Sequence, residues 1–251
     1  MVCLLRHTCL LIILMTHFAW AREFNFTGPS QSGTYLQGTG GPSQLYKAAY
    51  DRSDVSFANE VKVNYTLELG YMAKYKGALL SLGLMVVRAQ AIEGAQATLN
   101  DVTQYRVSSS LIGYGPEVGL DLILLHGHSM RFYVFGSGAY LITTLKNDYA
   151  LTTDGQGTYA VPDYTEEGTA YAYLMQGGLG YEVLFADNVS LALSVGYRVF
   201  SPTNFTHTRS HTNLDGTSIS EGQTMKNKEG TNLALNLNGA FGGFALRFYI
   251  P

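Results

Sequence analysis

TAYAYLMQGGLGYEVLFADNVSLALSVGYRVFS, residues 169–201, decides the fold. Its odd positions are Tyr171, Tyr173, Met175, Gly177, Leu179, Tyr181, Val183 and Phe185, and its even positions are Ala172, Leu174, Gln176, Gly178, Gly180 and Glu182. The first set is apolar and aromatic; the second is mostly small, polar or charged. A period of two belongs to a strand, not a helix. The chain turns at Ala186-Asp187-Asn188 and the alternation resumes. Val189, Leu191, Leu193, Val195, Tyr197 and Val199 take one face, and Ser190, Ala192, Ser194, Gly196 and Arg198 the other. The stretch predicts a long β-hairpin.

The charges say which face is dry. Glu182 and Arg198 share the small, Gly-rich face, which suits a crowded interior. The large apolar face then needs an apolar exterior, which a bilayer provides, as in strands of ~10 residues that point apolar side chains outward. The run from Tyr173 to Tyr181 rises ~26 Å along a strand, or ~20 Å along the membrane normal at a ~40° tilt. The longer run from Tyr171 to Phe185 gives ~35 Å along the normal by the same arithmetic. A lipid-facing band ~25 Å tall falls between these limits, which makes Tyr171, Tyr173, Tyr181, Phe185 and Tyr197 an expected aromatic girdle. A soluble sandwich with aromatic-rich strands is the alternative for this hairpin alone.

The start of the chain favours the membrane. Arg6 and His7 form a short polar region, Leu10–Met15 an apolar one, and Ala19-Trp20-Ala21 a small-x-small cleavage pattern. Residues 1–21 read as a secretory signal peptide, since the apolar run is too short to span a bilayer. Cys3 and Cys9, the two cysteines of the 251 residues, leave with it. The exported chain is then not a cystine-stapled domain. The formal charge is −3 with no basic tract, which gives no footprint for nucleic acid. Residues 22–251 are enough for one all-β domain. They hold no apolar run long enough for a transmembrane helix.

Outward from the hairpin the pattern recurs. Val61, Val63, Tyr65, Leu67, Leu69 and Tyr71 alternate with Lys62, Asn64, Thr66, Glu68 and Gly70. Leu80, Leu82, Leu84 and Val86 mark the next strand. Ile112, Tyr114, Val118, Leu120, Leu122 and Leu124 alternate with Gly113, Gly115, Glu117, Gly119 and Asp121. Pro116 predicts a bulge, because proline cannot donate a ladder bond. Residues 131–143 read as a strand of poorer alternation. A weak first strand is expected within 24–37, and a short helical turn within 43–51.

At the end, Leu233, Leu235 and Leu237 are expected outward, then the phase flips to Phe244, Leu246, Phe248 and Ile250. Either Asn238-Gly239 is a hairpin turn, or Gly239, Gly242 and Gly243 mark a bulge in one long strand. Tight turns at 74–77, 126–130 and 186–188 oppose long loops at 89–110, 144–168 and 201–230. Outer-membrane barrels show this asymmetry and an even strand number. It favours one bulged strand and eight strands in a single closed antiparallel up-and-down barrel, with ten as the alternative.

The signal ending Ala19-Trp20-Ala21, the alternating hairpins and the C-terminal Gly243-Phe244-Ala245-Leu246-Arg247-Phe248-Tyr249-Ile250 resemble the small Gram-negative outer-membrane β-barrel proteins, the OmpA-, OmpX- and OmpW-like group. The resemblance covers nearly all of the exported chain and is architectural. It implies the bacterial outer membrane, lipopolysaccharide as a neighbour, and recognition of the last strand by the barrel assembly machinery. That family's last strand ends on an aromatic residue; here Phe248 and Tyr249 precede Ile250 and Pro251.

Six charges are expected in the lumen: Glu68, Glu117, Asp121, Glu182, Arg198 and Arg247. An eight-stranded barrel is just wide enough for side chains to fill, and buried charges must pair. A salt-bridge plug is therefore favoured over a gated pore. His126-Gly127-His128-Ser129 brings to mind a metal site or a Ser/His hydrolase, but it falls on a short turn without a nearby carboxylate. His207 and His211 share a loop without a Cys or carboxylate pattern. No catalytic, cofactor or metal residue is assigned, and no enzyme activity is expected. The sequons at Asn25, Asn64, Asn188 and Asn204 carry no weight in a bacterial barrel. The expected role is a monomeric structural or surface-interaction barrel acting through its external loops. A small channel for solutes or apolar molecules and a lipid-modifying enzyme are the alternatives.

Overall fold

The computed structural model describes residues 24–28, 31–42, 56–57, 63–227 and 229–250. The signal peptide, the helical turn within 43–51 and Val61 lie outside these residues.

Eight strands form the ring: β1 Ser32–Pro42, β2 Val63–Tyr75, β3 Ala78–Ala89, β4 Val102–His126, β5 Met130–Leu151, β6 Tyr164–Ala186, β7 Val189–Phe200 and β8 Gly239–Ile250. Each pairs antiparallel with the next. The ring closes where β8 returns to β1, from Ser32↔Ile250 to Gly40↔Gly242. Closure removes sheet edges and satisfies the wall's backbone groups. Short turns join β2 to β3, β4 to β5 and β6 to β7 at one end, as the sequence predicts. No helix among the described residues is long and apolar enough to cross a membrane, so any crossing is made by strands.

The expected lipid face is the outer face. Tyr65, Leu67, Leu69, Leu80, Leu82, Leu84, Val118, Leu120, Leu122, Leu193, Val195 and Phe244 are all exposed. Such a contiguous apolar belt is foreign to a water-soluble surface. The inward set is buried: Glu68, Glu117, Gln176, Glu182, Arg198 and Arg247 are at most 6 % exposed.

Five expectations are corrected. Residues 92–99 are a strand, Ile92–Leu99, that hairpins against the upper part of β4. Residues 144–151 and 164–168 continue β5 and β6, with a short helix, α1 Thr153–Tyr159, between them. Two of the long loops are therefore walls extending past the apolar belt. Their polar composition misled because no lipid faces that part of the sheet.

The first strand begins at Ser32. Phe24 and Phe26 instead fold under the short-turn end, where Phe26 N–H donates to the His128 carbonyl (3.1 Å). Pro116 keeps its register with Leu84, and the irregularities in β4 lie at Gln104 and between Ile123 and Leu125.

The last segment is not one bulged strand from 232. Ring pairing starts at Gly239, and Leu233, Leu235 and Leu237 are buried (0–2 % exposed). They point into the interior, which is why the phase flips there. Segment 201–238 crosses the long-loop end as a cap. Its backbone is held by Leu237 N–H to Phe200 O (2.9 Å), Leu235 N–H to Pro202 O (2.9 Å) and Leu233 N–H to Met225 O (2.9 Å).

Candidate functional site

The interior is filled in layers. At the short-turn end, Glu182 is the hub. Its Oε2 accepts from Arg131 Nε (2.8 Å) and Arg247 Nη1 (3.0 Å), and its Oε1 from the Tyr249 hydroxyl (2.6 Å) and from Ser190. Arg247 also bonds Asp121 (Nη2–Oδ2 2.8 Å), and Arg131 donates to Gln31 Oε1 (3.1 Å) and to Tyr249. The Arg131 guanidinium lies 4.4 Å from the Phe26 ring centroid, and Phe24 stacks on Tyr249 at 4.3 Å. Charge is thereby neutralised and covered from below by aromatic surface. Gly180 leaves room for this layer, since a Cβ there would collide with the Tyr133 ring.

The second layer surrounds Arg198. Its donors reach Asn64 Oδ1 (2.7 Å), Gln176 Oε1 (3.3 Å), Thr66 Oγ1 (3.3 Å) and Thr39. Gln176 in turn donates to Glu68 Oε1 (2.9 Å). Arg198 and Glu68 are thus linked through Gln176 and Thr66, not by a direct ion pair. Glu117 departs further from the expected pairing: its Oε2 is buried without a hydrogen-bond partner among the described residues. It lines a void of about 30 Å3 with Glu68, Asp121 and Arg247, the space of one water.

Above these layers the lumen is apolar. Val87, Leu111, Leu141, Leu145 and Leu174 of the wall enclose Leu233, Leu235, Leu237, Phe205 and Met225 of the cap. The Asn64 amide donates to the Leu237 carbonyl (3.2 Å), joining the polar layer to the plug.

The expected girdle residues Tyr171, Tyr173, Phe185 and Tyr197 are exposed on the outer face, and Tyr181 is half-buried against Phe132 at 4.7 Å. His126, His128 and Ser129 are exposed on the β4–β5 turn.

Sequence reasoning missed Arg131, Gln176, Asn64 and Tyr249 as partners in the lumen. The inward phase of β6 already carried Gln176. Arg131 was hidden because the inward side of β5 also holds Tyr133, Phe135 and Leu141, which blurs the alternation.

Solved outer-membrane proteins are among the structures similar to this chain. The outer membrane protein OprG from Pseudomonas aeruginosa is 11 % identical, with 88 % of this chain and 94 % of that chain covered, at a TM-score of 0.41. A major outer membrane protein from Thermus thermophilus is 10 % identical, with 86 % and 99 % covered and a TM-score of 0.45. Neisserial surface protein A is 10 % identical, with 87 % and 97 % covered and a TM-score of 0.39. No family model matches the chain, and no curated protein sequence does either.

The cap carries the other candidate site. A cavity of about 810 Å3 is lined by Leu214, Ile219 and Lys226 together with Tyr159, Glu166 and His207. Glu166 sits on β6, and His207 pairs with Gly168 of the same strand. The cap is therefore registered to the barrel wall two residues from Glu166. Here a sizeable cavity meets the ionisable side chains of Glu166, His207, Asp215 and Lys226 outside the apolar belt.

Proposed function

We propose that the protein is a monomeric, integral outer-membrane barrel with a sealed lumen and a working surface on the cap. The observation that carries this reading is the double seal. The arginine–carboxylate layers block one half of the lumen, and Leu233, Leu235 and Leu237 block the other. A wall of eight strands leaves space for side chains and little else. The long-loop end faces outward by the asymmetry of its connections, which sets the cap against lipopolysaccharide and outside partners. The role is non-enzymatic, and the assembly machinery engages β8.

Planar-bilayer recording tests the seal: the reconstituted protein is expected to give no unitary conductance steps, and steady steps would overturn the reading. Protease treatment of intact cells is expected to cut within 201–238. Cutting only after the outer membrane is opened would reverse the orientation. Lipid A of identical mass with and without the protein is expected, and a changed mass would restore the enzyme alternative.

A further inference from the structure

We propose that Glu166, His207 and His211 hold a divalent first-row transition-metal ion, zinc being the best chemical match, and so clamp the cap to the barrel wall. One ligand atom from each residue lies within 4.8 Å of the other two. Two imidazoles and one carboxylate are a set that zinc takes readily, leaving a position open for water or an incoming group. Metal–ligand bonds of ~2.0–2.1 Å place tetrahedral donors ~3.4 Å apart, so torsions moving the ligand atoms by about an ångström close the site.

The surroundings are those of a built site. Glu166 and His207 are 5 % and 4 % exposed. Glu166 Oε2 accepts from Asn147 Nδ2 (3.2 Å) and the Tyr149 hydroxyl (3.4 Å), which aim its carboxylate. His211 bonds Asn213 Oδ1 through Nε2 (2.9 Å), while its buried Nδ1 has no hydrogen-bond partner among the described residues. That division is the one metal-bound histidines show, with one nitrogen donating to an oxygen and the other keeping its lone pair for the ion. The His211 ring is fixed by stacking: Tyr164 lies 5.3 Å away and Tyr149 a further 4.5 Å beyond, each pair within 9° of parallel. The His207 and His211 centroids are 5.1 Å apart, and His207 is pinned by its backbone N–H to the Gln223 carbonyl (2.8 Å).

The histidines lie four residues apart in the cap, whereas the carboxylate comes from β6, some forty residues earlier. An ion here would tie the cap to the barrel wall, beside a cavity that could admit a ligand group. The proposal does not depend on whether the lumen conducts.

The experiment uses tag-free protein refolded in detergent after chelation. Cobalt(II) titration is expected to give ligand-field absorption in the visible that saturates near one equivalent and is discharged by zinc. His211→Ala and Glu166→Gln are expected to weaken binding at least tenfold, and Asn213→Ala about tenfold through the lost hydrogen bond. A variant lacking His126 and His128 is expected to bind normally. Heat-modifiable mobility of the metal-free protein and of each variant on gels serves as the folding control. Folded wild-type protein that takes up neither cobalt nor zinc overturns the proposal. So does uptake that survives loss of both His207 and His211.

Discussion

Arg131 and Glu182 oppose each other across β5 and β6, with Nη2 2.6 Å from Oε2 and neither side chain exposed at all. The pair sits where the register alone would put it, and three further donors converge on the same carboxylate. Glu182 thus bridges two guanidinium groups, and Asp121 balances the second charge.

Glu182→Gln keeps the shape and removes the charge. Arg131 is then left buried without an ion-pair partner, and Arg247 keeps only Asp121. Breaking a buried pair from one side costs about 3–5 kcal/mol. The expected outcome is a loss of that size in urea unfolding from lipid vesicles. A loss under about 1 kcal/mol, the scale of an exposed pair, would mean the layer is wetter than its geometry suggests.

Outside the wall the sign of tolerance inverts. Leu179 is 59 % exposed, midway between the aromatic ends of β6. In water Leu179→Arg would be nearly harmless, but at a bilayer midplane an arginine costs about 2–4 kcal/mol. Vesicle unfolding is expected to show that loss, with slower assembly. Unchanged stability would argue that the belt does not face acyl chains.

Beyond the belt, Asp148 tests a screened interaction. Partial burial pushes its carboxyl up, but hydrogen bonds from Lys146 and Thr165, with the charges of Lys146 and Arg209, outweigh that and hold it below its ordinary value. A lowered folded value stabilises above the unfolded value of about 3.9 and fades as the pH falls through the folded one. Both side chains of the Lys146–Asp148 pair are nearly half exposed, which limits the effect to about 1 kcal/mol or less. Asp148→Asn is therefore expected to differ from wild type at neutral pH and to converge with it in strong acid. Divergence toward acid would contradict the lowered value.

The ring was legible from the sequence because one side of each strand is lipid-facing and the other polar. Tyr65 to Tyr71 and Leu80 to Val86 needed nothing beyond a period of two. Where the wall leaves the belt that contrast vanishes, so the strand halves at 102–110 and 144–151 read as loops. Leu233, Leu235 and Leu237 failed for a sharper reason. Their alternation is real, but a period of two says that one side is buried, not which apolar phase fills it. They face the lumen of the same barrel whose outer surface Phe244 helps cover. Glu68, Glu117, Glu182, Arg198 and Arg247 are buried on the phase that alternation marks as inward, while Arg198 finds Asn64 and Gln176 on β2 and β6 and Glu182 finds Arg131 on β5. Glu166 was out of reach beside His207 for the same reason, since only the β6 pairing brings them together.

The cap gives the last prediction. Leu235 is 2 % exposed and lies within the apolar cluster that seals the long-loop end. Truncating a buried leucine to alanine costs about 2–5 kcal/mol, depending on how far the site collapses. The eight-strand ladder does not run through this residue, so the cost falls on the docking of segment 201–238. Local opening free energies lie below the global one where few contacts tie a segment down. Leu235→Ala is therefore expected to speed proteolysis within 201–238 by tenfold or more while the heat-modifiable mobility of the barrel on gels stays unchanged. Loss of both together would mean that cap and ring unfold as one unit, and the cap would then be part of what holds the cylinder closed.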